Sequence, residues 1–502
     1  MTVTELTAPT SARLRWVALA VLMLPVLLVA IDNTVLAFAV PMISEALRPT
    51  GVELLWIVDV YPLVLAGLLV PMGSLGDRFG RRRMLLIGAT GFAVISAIAA
   101  FVPTAGALIA ARAAMGFFGA MLMPATLSLI RNIFIDAQER RIAIAIWAAG
   151  FSGGAALGPI VGGFLLDHFW WGSVFLLAIP LLLPLLVAGL KLLPESKDPN
   201  PGPIDPLSIV LVLAAMTALV WSIKSVAVHG FTTTVTATLL LALVAGTWFV
   251  RRQLNRATPM LDVRLFANPV FSGSVAANLL SVFSLVGFLF FVSQHLQLVS
   301  GKTPVEAGLV LLPGLAVTVI AGLLVVKVVR RVRPGTVVVA GLLLNAVGYS
   351  LVMVSGETGS DLGLLIAFAL LGAGVGAAET ISNDLILSSV PAEKAGAASA
   401  ISETAYEVGS VLGTAVLGGL LTAIYRGGVA LPTSLTAEQA ATAGETLGGA
   451  SDVARSLPAE AAAELLESAR AAFDSGVVVT SAIGVALMIG AAVLAGVTLR
   501  RA

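Results

Sequence analysis

The stretch 54-LLWIVDVYPLVLAGLLVPMGSLGDRFGRRR-83 decides the fold. Its first part is a nearly unbroken apolar run. Crossing a hydrocarbon layer of about 30 Å takes about 20 helical residues, and the run is long enough. Its second part turns abruptly polar: Gly73, Gly76 and Gly80 surround Asp77 and Arg78, followed by Arg81, Arg82 and Arg83. Glycines permit a tight turn and close helix approach, and clustered arginines anchor helix ends on the cytoplasmic side. Such a cluster is either a plain anchor or a clamp that holds neighbouring helices in one state and releases them in another.

The pattern repeats along all 502 residues, which are 58% hydrophobic and 11% charged. A soluble domain carries about 25% charged residues, so a soluble fold is excluded; the apolar content also excludes disorder. Apolar residues run continuously instead of alternating, which selects an all-α polytopic membrane protein over a barrel. Fourteen spans are expected, at about 16–40, 52–73, 84–101, 106–128, 141–163, 171–191, 206–223, 233–250, 268–292, 306–328, 336–355, 362–388, 395–424 and 475–498. The first run is too long for a signal peptide core. With this count most of the 29 Lys and Arg fall in alternate connections, which places both termini in the cytoplasm. Lys224 falls in an outer connection on this reading. Net charge is +1, so nothing draws the chain to nucleic acid. With no Cys, and with His168, His229 and His295 scattered, no metal site or cofactor is expected. No P-loop and no nucleophile–base pair is visible, so a gradient must supply energy and an enzyme is not expected.

Several charges lie within the spans, where an unpaired charge is expensive and marks function or a structural pair. Asp32 lies about 24 Å from the inner end of the first helix, at 1.5 Å per residue. It reads as a proton or cation site, or as structural polar packing. Arg112 enters the fourth span from outside and is expected to meet an acid. Asp59 lies about 10 Å deep in the second span, where an interfacial role is as good. Glu403 and Glu407 are four apart and share a helical face. With Glu379 they are candidates for sensing a cation, while Asp384 nears the inner boundary. Trp56, Tyr61 and Trp147 are candidate cavity aromatics. The stretch 150-GFSGGAALGPIVGG-163 sets Gly154, Gly158 and Gly162 at helical spacing around Pro159, which suits tight packing at a gate. The outer connection 427–474 carries Glu438, Glu445, Asp452, Glu460, Glu464, Glu467 and Asp474 against Arg455 and Arg470. It is either a solvated spacer or an acidic lip, with an amphipathic helix expected over 458–473.

These motifs together resemble the major facilitator superfamily, in particular its fourteen-helix drug:proton antiporters that include bacterial quaternary-ammonium exporters. Gly73, Asp77, Arg78, Gly80, Arg81 and Arg82 match the family's loop between helices two and three. Arg112, Gly116, Gly119 and Ala120 match the fourth-helix motif. Gly154, Gly158, Pro159, Gly162 and Gly163 match the fifth-helix antiporter motif. Asp32, Thr34, Val35, Ala39 and Pro41 match the first-helix motif of drug exporters. The chain departs from some relatives in helix ten, which has Glu306 at its edge and no deeper acid, weakening any claim for divalent substrates.

The resemblance implies two six-helix bundles, over 1–193 and 257–502, with a linker and two-helix insertion over 194–256. It implies proton-coupled export of lipophilic cationic drugs, such as quaternary ammonium compounds and dyes, across the bacterial cell membrane. Asp32 and Arg112 would couple the proton, and Glu407, Glu403, Glu379 and Asp59 would sense the cation. Asp77, Arg78 and the glycines would control the conformational change. Partners would be these substrates, protons and membrane lipids. Export of an endogenous lipid or metabolite is the alternative, and a non-transporting receptor or scaffold is a distant third. A monomer is compatible with the pattern, which leaves oligomeric state open.

Overall fold

The computed structural model describes residues 11–197, 205–358, 361–390 and 395–500. Most of the Pro/Gly-rich linker, together with Lys394 and Arg501, lies outside them, as do the side chains of Arg140, Arg141 and His229. Among the described residues every regular element is helical: α1 Ala12–Leu47, α2 Gly51–Phe79, α3 Arg81–Ala99, α4 Ala105–Gly119, α5 Leu122–Ile133, α6 Ala137–His168, α7 Ser173–Leu176, α8 Ala178–Leu192, α9 Pro206–His229 and α10 Thr233–Asn255. The second half contains α11 Pro269–Gln294, α12 Pro304–Val328, α13 Pro334–Thr358, α14 Asp361–Ser388, α15 Ala395–Gly413, α16 Gly419–Gly428, α17 Ala437–Glu445, α18 Leu447–Ala454 and α19 Ala459–Thr498. Among the described residues, thirteen helical segments are long and apolar enough to cross a membrane, with α4–α5, α7–α8 and α15–α16 each forming one path. The 32-residue α6 is a further helix of spanning length.

Local chemistry sets the helix starts. Thr50 with Glu53, and Thr303 with Glu306, form reciprocal capping boxes that satisfy first-turn N–H groups. Asp205 and Asn268 cap helices whose first residue is proline. Two π-helical turns, His295–Val299 and Thr414–Gly418, interrupt the helices they extend. Such turns concentrate where function needs irregular backbone.

The helices pack as two bundles, α1–α8 and α11–α19, with α9 and α10 paired as a separate hairpin. The bundles meet along α6–α12, α2–α15 and α1–α11. The antiporter glycines lie on the first of these seams and on the α1–α6 contact. A side chain at Gly158 would strike Thr34, a Cβ at Gly154 would come 2.7 Å from that of Ala30, and Gly308 lies against Pro159. Pro159 and the glycines therefore let α6 lie close to α1 and α12 together.

The α2–α3 turn marks one face of the molecule. On the opposite, far face the bundles are clasped. Ser293 Oγ donates to Ala37 O at 2.8 Å, and Gln297 Nε2 donates to Phe38 O at 3.2 Å. Arg48 pairs with Asp452, Arg455 pairs with Glu45, and Gly51 N donates to Glu445. The acidic outer connection is thus folded into α17 and α18 against the ends of α1 and α2. The separate amphipathic helix expected over 458–473 is instead the first part of α19, a continuous 40-residue helix. No proline separates the Ala/Glu-rich turns from the apolar span, so nothing stops the helix.

Candidate functional site

Asp32 and Arg112 come together in the middle of the N-terminal bundle. Arg112 is 1% exposed and its Nη1 donates to Asp32 Oδ2 at 2.6 Å. Its Nε donates to Ile57 O at 3.3 Å, and its guanidinium lies 4.5 Å from the centre of the Tyr61 ring. Gly119 leaves room for that ring, since a Cβ there would come 3.3 Å from it. The first-, second- and fourth-span motifs therefore build one site: α1 supplies the acid, α4 the base, and α2 a carbonyl and an aromatic face. A buried pair of this kind survives only because each charge neutralises the other and hydrogen bonds satisfy the rest. If proton uptake discharges Asp32, the guanidinium is left without its counter-charge.

The C-terminal bundle faces this pair with acids only. Glu407 is 4% exposed, and its Oε2 is buried with no hydrogen-bond partner. It lies within electrostatic range of Asp32 and of Glu403 on its own helix. Glu379, on α14, is half-buried and neighbours Tyr406, which also neighbours Glu407. Among the described residues, no Lys, Arg or His pairs with Glu379, Glu403 or Glu407. Tyr406 thus stands between Glu379 and Glu407, while Tyr61, fully buried against Arg112, neighbours Asp32 and Glu407. Tyr406 is not marked by any sequence motif; its place between Glu403 and Glu407 is the available signal.

Other expected residues lie elsewhere. Asp59 pairs with a base on another helix. It is 1% exposed and its Oδ2 lies 2.9 Å from Nζ of Lys224, itself fully buried. Lys224 therefore belongs to the end of α9 rather than to an outer connection. Trp56 turns to the same side, its ring 4.1 Å from the lysine nitrogen. Trp147 is 8% exposed, and its Nε1 donates to Thr126 Oγ1 at 3.1 Å, tying α6 to α5. His295 pairs with Asp474 on α19.

At the α2–α3 turn, Arg81 donates twice to Asp77, at 2.9 and 2.7 Å. Gly80 has φ of +114°, which a residue with a side chain rarely adopts. It also leaves space for Glu195, whose carboxylate accepts from the backbone N–H of Arg82 and Arg83. Arg82 donates to the Leu193 carbonyl at 3.0 Å. Arg78 is exposed on the last turn of α2. The turn is thus fastened to the end of α8 by Glu195, a residue that the linker reading had passed over.

Comparisons with known proteins agree with this architecture. The family model described as Major Facilitator Superfamily matches residues 22–414. Among curated relatives, the multidrug efflux pump LfrA of Mycolicibacterium smegmatis is 58% identical, over 97% of this chain and 96% of its own. The methyl viologen resistance protein SmvA of Salmonella typhimurium is 39% identical, over 91% and 93%. Among solved structures, a bacterial homologue of the human lysosomal transporter Spinster, inward-facing and unoccupied, superposes with a TM-score of 0.67 at 18% identity, covering 98% of each chain. That last likeness concerns the fold. The chain belongs to the major facilitator superfamily, as a multi-pass membrane protein among its non-enzymatic multidrug efflux transporters.

Proposed function

We propose that this transporter exchanges protons for lipophilic organic cations, quaternary ammonium compounds and dyes among them, across the bacterial cytoplasmic membrane. The observation that carries the reading is the contrast within one site: Asp32 neutralised by Arg112, facing Glu407 with no base beside it. A cation entering this site finds uncompensated carboxylates. A proton arriving at Asp32 or Glu407 removes the charge that holds the cation, so the two ligands compete. A relative named for resistance to methyl viologen, an organic dication, supports this substrate class.

Among the described residues the polar contacts between the bundle ends lie on the far face, which suits a state that admits substrate from the α2–α3 side. With both termini cytoplasmic, that side is the cytoplasm and inner leaflet. Rearrangement would open the far face by breaking the Arg48–Asp452 and Arg455–Glu45 contacts, with Asp77, Arg78 and Arg81 restraining the opposite side and the α6 glycines permitting the motion. Bundle limits of 1–193 and 257–502, flanking the 194–256 insertion, accord with this packing, and a monomer is sufficient for the mechanism.

The test is substrate-induced proton movement by purified protein in proteoliposomes, comparing ethidium with a neutral lipid-like compound. Proton release on adding the cation is the expected result. Transport of the lipid-like compound without any cation-driven proton movement would overturn the reading in favour of an endogenous lipid exporter.

A further inference from the structure

The two-helix insertion carries a buried cation at the seam between the bundles. Lys224 of α9 lies 2.9 Å from Asp59 and 4.1 Å from the centre of the Trp56 ring, both on α2. Trp56 and Asp59 are three residues apart and so project from one face of that helix. Neither the ammonium nor the carboxylate makes a well-directed hydrogen bond. Charge neutralisation and the aromatic face therefore hold the lysine in place.

The surrounding packing is three-sided and apolar but for the neutral hydroxyl of Thr414, on the π-helical turn after α15, which neighbours Asp59. Leu63 of α2, Val220 of α9, Val411 of α15 and Ala415 of the following π-helical turn form one small core, with Met216 and Ile223 packed against it. α9 thus touches both bundles, yet its buried charge has its counter-charge on α2. An ion pair buried among membrane helices resists separation, whereas apolar faces can slide. The same turn of α2 also presents the Ile57 carbonyl and the Tyr61 ring to Arg112. It is held between two buried bases, one on α4 and one on α9.

We propose that Lys224 is a positioning residue for efflux: its pairing with Asp59 and Trp56 makes α9 travel with the N-terminal bundle, leaving the α9 face against α15 and α16 as the sliding surface. This goes beyond the proton and substrate assignments; its readout rests on the proposed export of ethidium, and efflux by the parent chain before cross-linking checks that reading separately.

The chain has no Cys, so introduced pairs can be cross-linked without background. Leu63→Cys with Val220→Cys joins α2 to α9, and Val220→Cys with Val411→Cys joins α9 to α15. A short reducible thiol linker is applied and ethidium efflux is followed in energised cells. The first cross-link should leave efflux within about twofold, and the second should lower it about tenfold or more, with recovery on reduction. Equal effects of the two cross-links, or block by the first alone, would overturn the proposal.

Charge variants give a second measure, normalised to folded transporter. Lys224→Met should lower ethidium turnover about tenfold with ethidium binding unchanged. Lys224→Arg should restore most of the rate, and Lys224→Met with Asp59→Asn should recover more than Lys224→Met alone, since no charge is then orphaned. Normal turnover per folded Lys224→Met molecule would reduce the pair to a folding element and overturn the positioning role.

Discussion

Asp32 and Asp59 in the N-terminal bundle each meet a buried base, whereas Glu379, Glu403 and Glu407 in the C-terminal bundle meet none among the described residues. The two arrangements cost differently. A buried pair offsets its own desolvation and fixes geometry, so removing one partner is punished more than removing both. A buried carboxyl without a base must take up a proton or a cation, so its natural role is exchange. On this view the pairs of the N-terminal bundle hold helices in register, and the acids of the C-terminal bundle are the ones proposed to meet substrate. Asp32 stands at the border, paired with Arg112 yet within range of Glu407.

The largest expected effect lies on the paired side. Arg112→Met leaves Asp32 without its counter-charge and should destabilise the protein by about 3–5 kcal/mol, with loss of efflux. Thermal unfolding in detergent measures the first and dye accumulation in cells the second. Asp32→Asn is gentler on the fold, because the guanidinium keeps an oxygen acceptor. It should still abolish pH-driven export by removing the carboxylate proposed to take up the proton. Wild-type antiport in Asp32→Asn would remove Asp32 from the coupling step and break the distinction drawn above.

On the unpaired side, Glu407→Gln should leave stability nearly unchanged, since it orphans no partner. Its effect should fall on substrates according to charge. Efflux of a quaternary ammonium should drop about tenfold, equivalent to about 1.4 kcal/mol of lost binding, while a neutral substrate changes little. Equal losses for both classes, measured side by side in the same vesicles, would mean that Glu407 serves folding or general coupling instead.

The parts of this molecule that follow from local sequence were legible in it. Apolar runs and the Gly73–Arg83 turn give the helices and their order, because every spanning segment must satisfy its own backbone. Asp32 and Arg112 stood out as charges inside spans, and the structure brings them together. Lys224 did not stand out, because a lysine near a span end reads as a side chain reaching for the interface. Its partner lies on a helix far away in sequence. The one available hint was that α9 carries a single Lys near its far end while α2 carries Asp59 two turns in from its own. Glu195 was hidden for a related reason: in a Pro-rich linker it looks like solvated charge, and only the returning end of α8 brings it to the Gly80 turn. The α19 helix shows the opposite limit, where a change of composition suggested a boundary that the backbone, lacking proline, does not make.

A smaller effect than at the buried Asp32–Arg112 pair, and one with no consequence for transport, is expected where an acid is paired at the membrane edge rather than within the bundle. Asp205 caps α9 from just outside the span and accepts from Arg252 Nε and Nη2, both at 3.0 Å, while Arg256 lies 3.1 Å away. It also accepts from Ser208, whose hydroxyl is 2.6 Å away. Hydrogen bonds from Arg252, chief among these, hold its carboxyl down to about 2 from an ordinary 3.8. Because the folded value is the lower one, the carboxylate contributes stability that is complete above the ordinary value. That contribution disappears as pH falls toward about 2, and it amounts to about 2 kcal/mol. Asp205→Asn should therefore loosen the α9–α10 hairpin by a similar amount near neutrality and flatten the acid limb of stability between about pH 4 and pH 2. Hydrogen exchange over α9 and α10 at several pH values reads this directly. If the variant's acid limb stays as steep as the parent's, the pairing logic stops at the bilayer, and the cost of an orphaned base belongs to the buried pairs alone.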